Sequence, residues 1–121
     1  MVRKTRMMVI MILAVLTASV AWAGLDITHP LKCEETESQA RRIMDYIEAV
    51  TKSECMHRGC TPTTLKLAQE QEIAAFRRLR KAKRPKAVDA AMVDACNSGG
   101  FCNYRNIERW YLLYKHDPRF K

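Results

Sequence analysis

Strand-forming residues are scarce in this chain beyond Gly24. Val, Ile, Thr, Tyr, Phe and Trp are thinly spread there, while Ala, Arg, Lys, Glu, Leu and Met dominate. Branched and aromatic side chains suit a pleated surface and straight-chain ones suit a helix, so the shortage argues against a β fold. Catalytic signatures are missing too. There is no G-x-S-x-G, no H-E-x-x-H and no glycine-rich phosphate loop, so the chemistries those motifs support have no basis here. His29, His57 and His116 lie at or near an arm or helix end, outside any nucleophile or metal motif. No C-x-x-C occurs, which removes the signature of thiol–disulfide exchange. The chain shows no internal repeat and no low-complexity stretch. These absences point away from an enzyme and toward a small helical binding module without a cofactor or metal.

What is present begins at the N-terminus. Arg3, Lys4 and Arg6 lead into an apolar run from Met7 to Ala21, followed by Trp22 and Ala23. A basic n-region, an h-region of about 15 residues and small residues before a cut at Gly24 predict a cleaved secretory signal peptide over residues 1–23. The run is short against the roughly 20 residues a spanning helix needs, so no membrane span is expected after cleavage. Residues 24–121 are then expected to form a single small helical domain, periplasmic or secreted. The leader takes three of the 21 basic residues and none of the 13 acidic ones, so the net charge of the rest is about +5. That balance favours an acidic partner.

All five cysteines, Cys33, Cys55, Cys60, Cys96 and Cys102, lie beyond Gly24. In a short exported chain they read as a disulfide framework, with one thiol left over because the count is odd. A zinc site built from the C-x4-C, the C-x5-C and His57 fits neither the usual spacing nor an oxidising compartment.

Apolar spacing predicts four helices. The first, Glu34 to Arg58, carries the stripe Ala40, Ile43, Ile47, Val50, with Glu34 and Glu35 in its first turn and Gly59 as terminator. The second is capped by Thr61, starts at Pro62, carries Leu65, Ala68, Ile73, Phe76 and Leu79, and runs out near Arg84 before Pro85. The third, Lys86 to Cys96, turns Val88, Ala91 or Met92, and Ala95 inward. The fourth runs from Asn103 to His116 with Tyr104, Ile107, Trp110 or Tyr111, and Tyr114. The fold class expected is therefore all-α: a small disulfide-stapled bundle of about four helices with short, antiparallel connections.

In that topology the first and last junctions fall at one end. Cys55, Cys60, Cys96 and Cys102 gather there, and Cys33 sits toward the other as the unpaired or intermolecular thiol. Local pairing and cross-junction pairing are both open. A longer closed loop removes more unfolded-state entropy, roughly 3 kcal/mol or more, which favours at least one cross-junction bridge.

The sharpest charge feature is the run RRLRKAKRPK, with Arg77, Arg78, Arg80, Lys81, Lys83, Arg84 and Lys86. No acidic residue stands between Glu72 and Asp89. A solvated face usually mixes signs; this one should attract an anion. The alternative is a helix end whose cations meet the negative pole of the dipole. The run holds no aromatic residue on which a base could stack, so nucleic acid is not the expected anion. The fourth helix is apolar almost all round, through Trp110, Tyr111, Leu112, Leu113 and Tyr114. It is either central to the bundle or a partner or homodimer surface.

Cys60, Leu65, Ala75, Phe76, Arg77 and Leu79, with Asp94-Ala95-Cys96 and the C-x5-C, locally resemble small periplasmic cysteine-rich lysozyme inhibitors. Met92 to Cys96 with Tyr104, Ile107 and Trp110 also resembles the helical periplasmic acid-stress chaperones. Both likenesses imply an exported, helical, disulfide-tied protein, and no site residue is carried over from either. The expected function is stoichiometric contact with a protein or anionic component of the envelope, for example as an inhibitor or accessory factor. The alternatives are a stress chaperone exposing apolar surface and a redox protein or enzyme using the spare thiol.

Overall fold

A computed structural model describes residues 26–121 of the protein, so the expected leader, residues 1–23, lies outside the described residues. Four α-helices follow an N-terminal arm: α1 Glu37–Arg58, α2 Pro62–Arg80, α3 Pro85–Asn97 and α4 Tyr104–Tyr114, with a closing 3-10 turn at Pro118–Phe120. No strand occurs among the described residues. The protein is an all-α bundle stapled by two disulfides.

Each boundary has a chemical cause. Thr36 is extended and its Oγ1 accepts from the Gln39 N–H at 3.2 Å. That cap starts α1 at Glu37 rather than at Glu34, and it leaves Glu34 and Glu35 in the arm instead of the first turn. Gly59, at φ +64°, ends the helix in the left-handed region. Thr61 and Thr64 cap α2 reciprocally: the Thr61 N–H donates to Thr64 Oγ1 at 2.8 Å and the Thr64 N–H to Thr61 Oγ1 at 3.3 Å. This helix ends at Arg80, not near Arg84. The amides of Lys81 and Ala82 close tight turns onto the carbonyls of Arg78 and Leu79, each at 3.1 Å. Pro85 then takes the first position of α3, with Arg84 before it at a non-helical φ −120°, ψ 82°. Asn103 caps α4, its Oδ1 accepting from the Asn106 N–H at 2.8 Å.

The core joins all four helices: Ile43, Tyr46 and Ile47 from α1, Ala75, Phe76 and Leu79 from α2, Ala91 and Ala95 from α3, Tyr104 and Ile107 from α4. Fully burying Ile47, Leu79 or Ile107 stabilises the fold by roughly 1.5–3 kcal/mol each. The helix α4 packs on both α2 and α3, which accounts for its apolar two-sidedness. It does not cover everything, since Leu112 and Leu113 remain 52% and 67% exposed. At its start the Tyr104 ring meets Phe76 and Tyr46 edge-on, with centroids 4.8 and 6.3 Å away. The Tyr104 hydroxyl donates to the Thr28 carbonyl at 2.9 Å, so the centre of the core also holds the arm. A second tie is the His29–Asp89 contact at 2.6 Å.

The disulfides are local, Cys55–Cys60 and Cys96–Cys102, with Cα atoms 5.0 and 4.3 Å apart, and Cys33 is free. The cross-junction bridge favoured on loop entropy does not occur, because each pair flanks a tight turn that already brings its own two cysteines together. The two junctions are nonetheless neighbours. The Tyr46 hydroxyl donates to the Cys102 carbonyl, and the His57 and Phe101 rings meet edge-on at 5.8 Å.

Candidate functional site

A buried polar cluster ties the cysteine end together. Glu72, on α2, has no exposed surface. Its carboxylate accepts from the Tyr104 N–H at 2.9 Å, the Arg105 N–H at 3.0 Å and Arg105 Nε at 2.7 Å. Glu54, on α1, accepts from Arg105 and from the Asn103 amide. Burial opposes the Arg105 charge, but the hydrogen bonds to Glu72 and Glu54 outweigh it and hold the guanidinium firmly protonated. Two of the orphan N–H groups at the start of α4 are thus satisfied by a carboxylate from another helix. Burial, with the negative charges of Glu72 and Asp26, pushes the Tyr46 hydroxyl up to about 12. Burial raises the Tyr104 hydroxyl still further. These contacts tie α1, α2 and α4 together, and Glu54 and Arg105 also line a small cavity beside the Cys55–Cys60 bridge.

Sequence reasoning passed over this cluster, although a signal exists. Leu65, Ala68, Glu72, Phe76 and Leu79 follow one another at three and four residues, so Glu72 belongs to the apolar stripe. Glu54 continues the stripe of Ile43, Ile47 and Thr51 in the same way. Two acids on inward stripes at one end of a bundle require a cation that reaches inward to them, and half-buried Arg105 is it.

The opposite end carries the predicted charge run, and the fold divides it three ways. Arg78 leaves the run by forming a bidentate pair with Glu108 of α4, at 2.5 and 2.8 Å. That contact raises its already high pKa. Arg77 and Arg80 line a cavity between the arm, α1 and α2, where Arg80 also reaches Glu35 at 3.3 Å. Lys81, Lys83, Arg84 and Lys86 occupy the corner that turns from α2 into α3. None of these four makes an ion pair among the described residues. The run is therefore divided among a corner, an internal tie and a groove wall, because the chain leaves α2 at Arg80 and Pro85 opens a new helix.

The corner sits at an unfavourable place for positive charge. Cations in the last turn of α2 meet the negative pole of that helix. Lys83, Arg84 and Lys86 instead surround the positive pole of α3, which has no side-chain cap and no acid in its first turn. Positive charge at that pole runs against the helix dipole, an unfavourable repulsion by its sign.

The groove holds about 450 Å³. Its floor is apolar, from Ile43, Met44 and Ile47 of α1 and Ile73 and Phe76 of α2. Cys33 lies on its rim and is partly exposed. Among the described residues no three His, Cys, Asp or Glu side chains approach closely enough to hold a metal ion. No helix of the described residues is long and apolar enough to cross a membrane.

Compared with known protein families, curated proteins and solved structures, the chain matches none.

Proposed function

We propose that this chain is a small exported binding protein that acts by stoichiometric contact with an acidic partner in the envelope. The contact surface is the corner of Lys81, Lys83, Arg84 and Lys86. One observation carries the reading. Three of these cations crowd the positive end of α3, whose first turn holds no acid, so the helix dipole gives no reason for their presence. An acidic group seated on the corner would offset that positive charge at the positive pole of α3. By contrast Arg78 and Arg80 have acidic neighbours and a favourable helix pole, and their retention needs no partner.

One feature supports export and another the class of partner. Both disulfides close short loops of the kind that persist in oxidising compartments. The corner is compact rather than a long track, and it lacks aromatic residues, which favours an acidic polypeptide face over a nucleic acid strand.

Immobilised poly-L-glutamate is the first probe. Replacing Lys81, Lys83, Arg84 and Lys86 together with Gln should weaken binding at least about tenfold at about 0.15 M ionic strength, where unpaired surface charges act only over roughly 8 Å. Helicity should be unchanged. Retention of the probe by the quadruple variant as strongly as by the parent would overturn the reading.

A further inference from the structure

The outer face of α4 is a second surface, separate from the basic corner. Arg109, Leu112, Leu113 and His116 are all exposed. Their spacings of three and four residues gather them into one patch, with Arg109 a turn before the two leucines and His116 a turn after. The opposite side of the helix supplies Tyr104 and Ile107 to the core. Leu112 and Leu113 stay 52% and 67% exposed even though α4 packs on both α2 and α3. The fold makes no use of either side chain, and they stand side by side.

The free charge around this pair has one sign. Residues 104–121 hold two acids, Glu108 and Asp117, and these are taken by Arg78 and Arg119. Asp94 of α3 takes the Tyr114 hydroxyl, between α3 and α4. Arg109 and half-exposed Lys115 make no ion pair among the described residues. A convex helix face with two adjacent leucines and unpaired cations asks for an apolar medium and an anion together. An acidic polypeptide face would meet the cations and leave the leucines against charge. An anionic bilayer stacks the two demands in the right order, phosphates outermost and acyl chains beneath. Long basic side chains reach the headgroups while shorter apolar ones enter the boundary below.

We infer that this face of α4 docks the protein on a membrane surface rich in anionic phospholipid. The helix lies in the plane of the interface, with Leu112 and Leu113 in the acyl boundary and Arg109 and Lys115 at the phosphates. At 11 residues α4 is far too short to cross a bilayer. Two leucines and a few cations make the contact peripheral and reversible. The patch uses none of Lys81, Lys83, Arg84 or Lys86, so its failure and that of the acidic-partner reading are separable.

The test mixes the purified chain, internal bridges intact, with vesicles of phosphatidylglycerol and phosphatidylcholine in equal parts and measures binding by co-sedimentation. The chain should sediment with these vesicles and bind pure phosphatidylcholine vesicles at least about tenfold less. Leu112→Ser with Leu113→Ser should weaken binding to the anionic vesicles at least about tenfold. Both side chains are exposed, so helicity and binding to poly-L-glutamate should be unchanged in that variant. Arg109→Gln with Lys115→Gln should weaken vesicle binding at least about threefold, and the difference from the parent should shrink as salt is added. Vesicle binding that survives the loss of both leucines in full would be adsorption by charge alone and would overturn the inference. So would a parent chain that leaves the anionic vesicles unbound, or one that binds pure phosphatidylcholine equally well.

Discussion

The two ends of the bundle are built on opposite plans. At the cysteine end the buried charged groups have their partners. Two disulfides close the turns, Glu72 holds the first amides of α4, and Arg105 bridges two buried acids. At the other end, four cations crowd a corner without partners, a groove stands open, and a thiol is unspent. A chain of this size has one modest core and needs local reinforcement. Concentrating that reinforcement at one end leaves the other free to carry groups that destabilise the monomer, which is where binding surfaces are expected.

The contrast is broken most severely at Glu72. Glu72→Ala leaves the Tyr104 and Arg105 amides without their acceptor and removes one of the two partners of Arg105. Breaking a buried pair in this way costs about 3–5 kcal/mol. Urea unfolding should show the midpoint collapsing with little change in slope, whereas a drop below about 1 kcal/mol would mean that water substitutes freely at this site.

Next in size is the covalent part of the same end. Replacing Cys96 and Cys102 together with Ser opens a loop with a sequence separation of 6. The chain-entropy model gives about 2 kcal/mol for so short a loop. Thermal unfolding of the double variant should fall accordingly, and it should fall less than that of Glu72→Ala. The reverse order would show that the covalent ties outrank the polar ones.

Alkali tests the cysteine end from another direction. Tyr46 rises from 10.0 to about 12 in the folded protein, first through burial and then through Glu72 and Asp26. Tyr104 moves the same way, chiefly by burial. A raised folded value means that the unfolded state gives up the proton first. The associated stability is therefore intact below pH 10 and is lost as pH climbs toward about 12. Tyrosinate absorbance should lag in the folded protein over that window. Tyr46→Phe should shallow the alkaline loss while costing about 1 kcal/mol at neutral pH, because the Cys102 carbonyl loses its donor.

The helices were legible because their signals are local. Thr61-Pro62, Gly59 and Asn103 act within one turn of themselves, and all three do in the fold what their types predict. The misplaced ends come from competition between local signals. Thr36 caps α1 after two acids that could have opened the helix, and Pro85 acts on Arg84 while the chain has already turned at Lys81. The disulfide pattern was open because loop entropy speaks for the unfolded chain and not for where the sulfurs sit. The partition of the basic run was hidden for a different reason. Whether Arg78 is free depends on Glu108, thirty residues away in sequence, and spacing within the run carries no information about that.

The smallest expected effect has the most informative sign. Lys83→Gln, Arg84→Gln and Lys86→Gln remove charges from the positive pole of α3. Charge removal at an ordinary surface leaves stability alone or lowers it slightly. Here it should raise stability by a few tenths of a kcal/mol, because the repulsion with the helix pole disappears. The gain should shrink as salt is added. Arg78→Gln is the control on the same run: it loses the pair with Glu108, so its melting temperature should shift slightly downward. Opposite signs from neighbouring cations would separate those retained against the monomer's own stability from those the fold itself uses. A uniform loss across all four substitutions would make the run an ordinary helix end and remove the reason to place a partner on the corner.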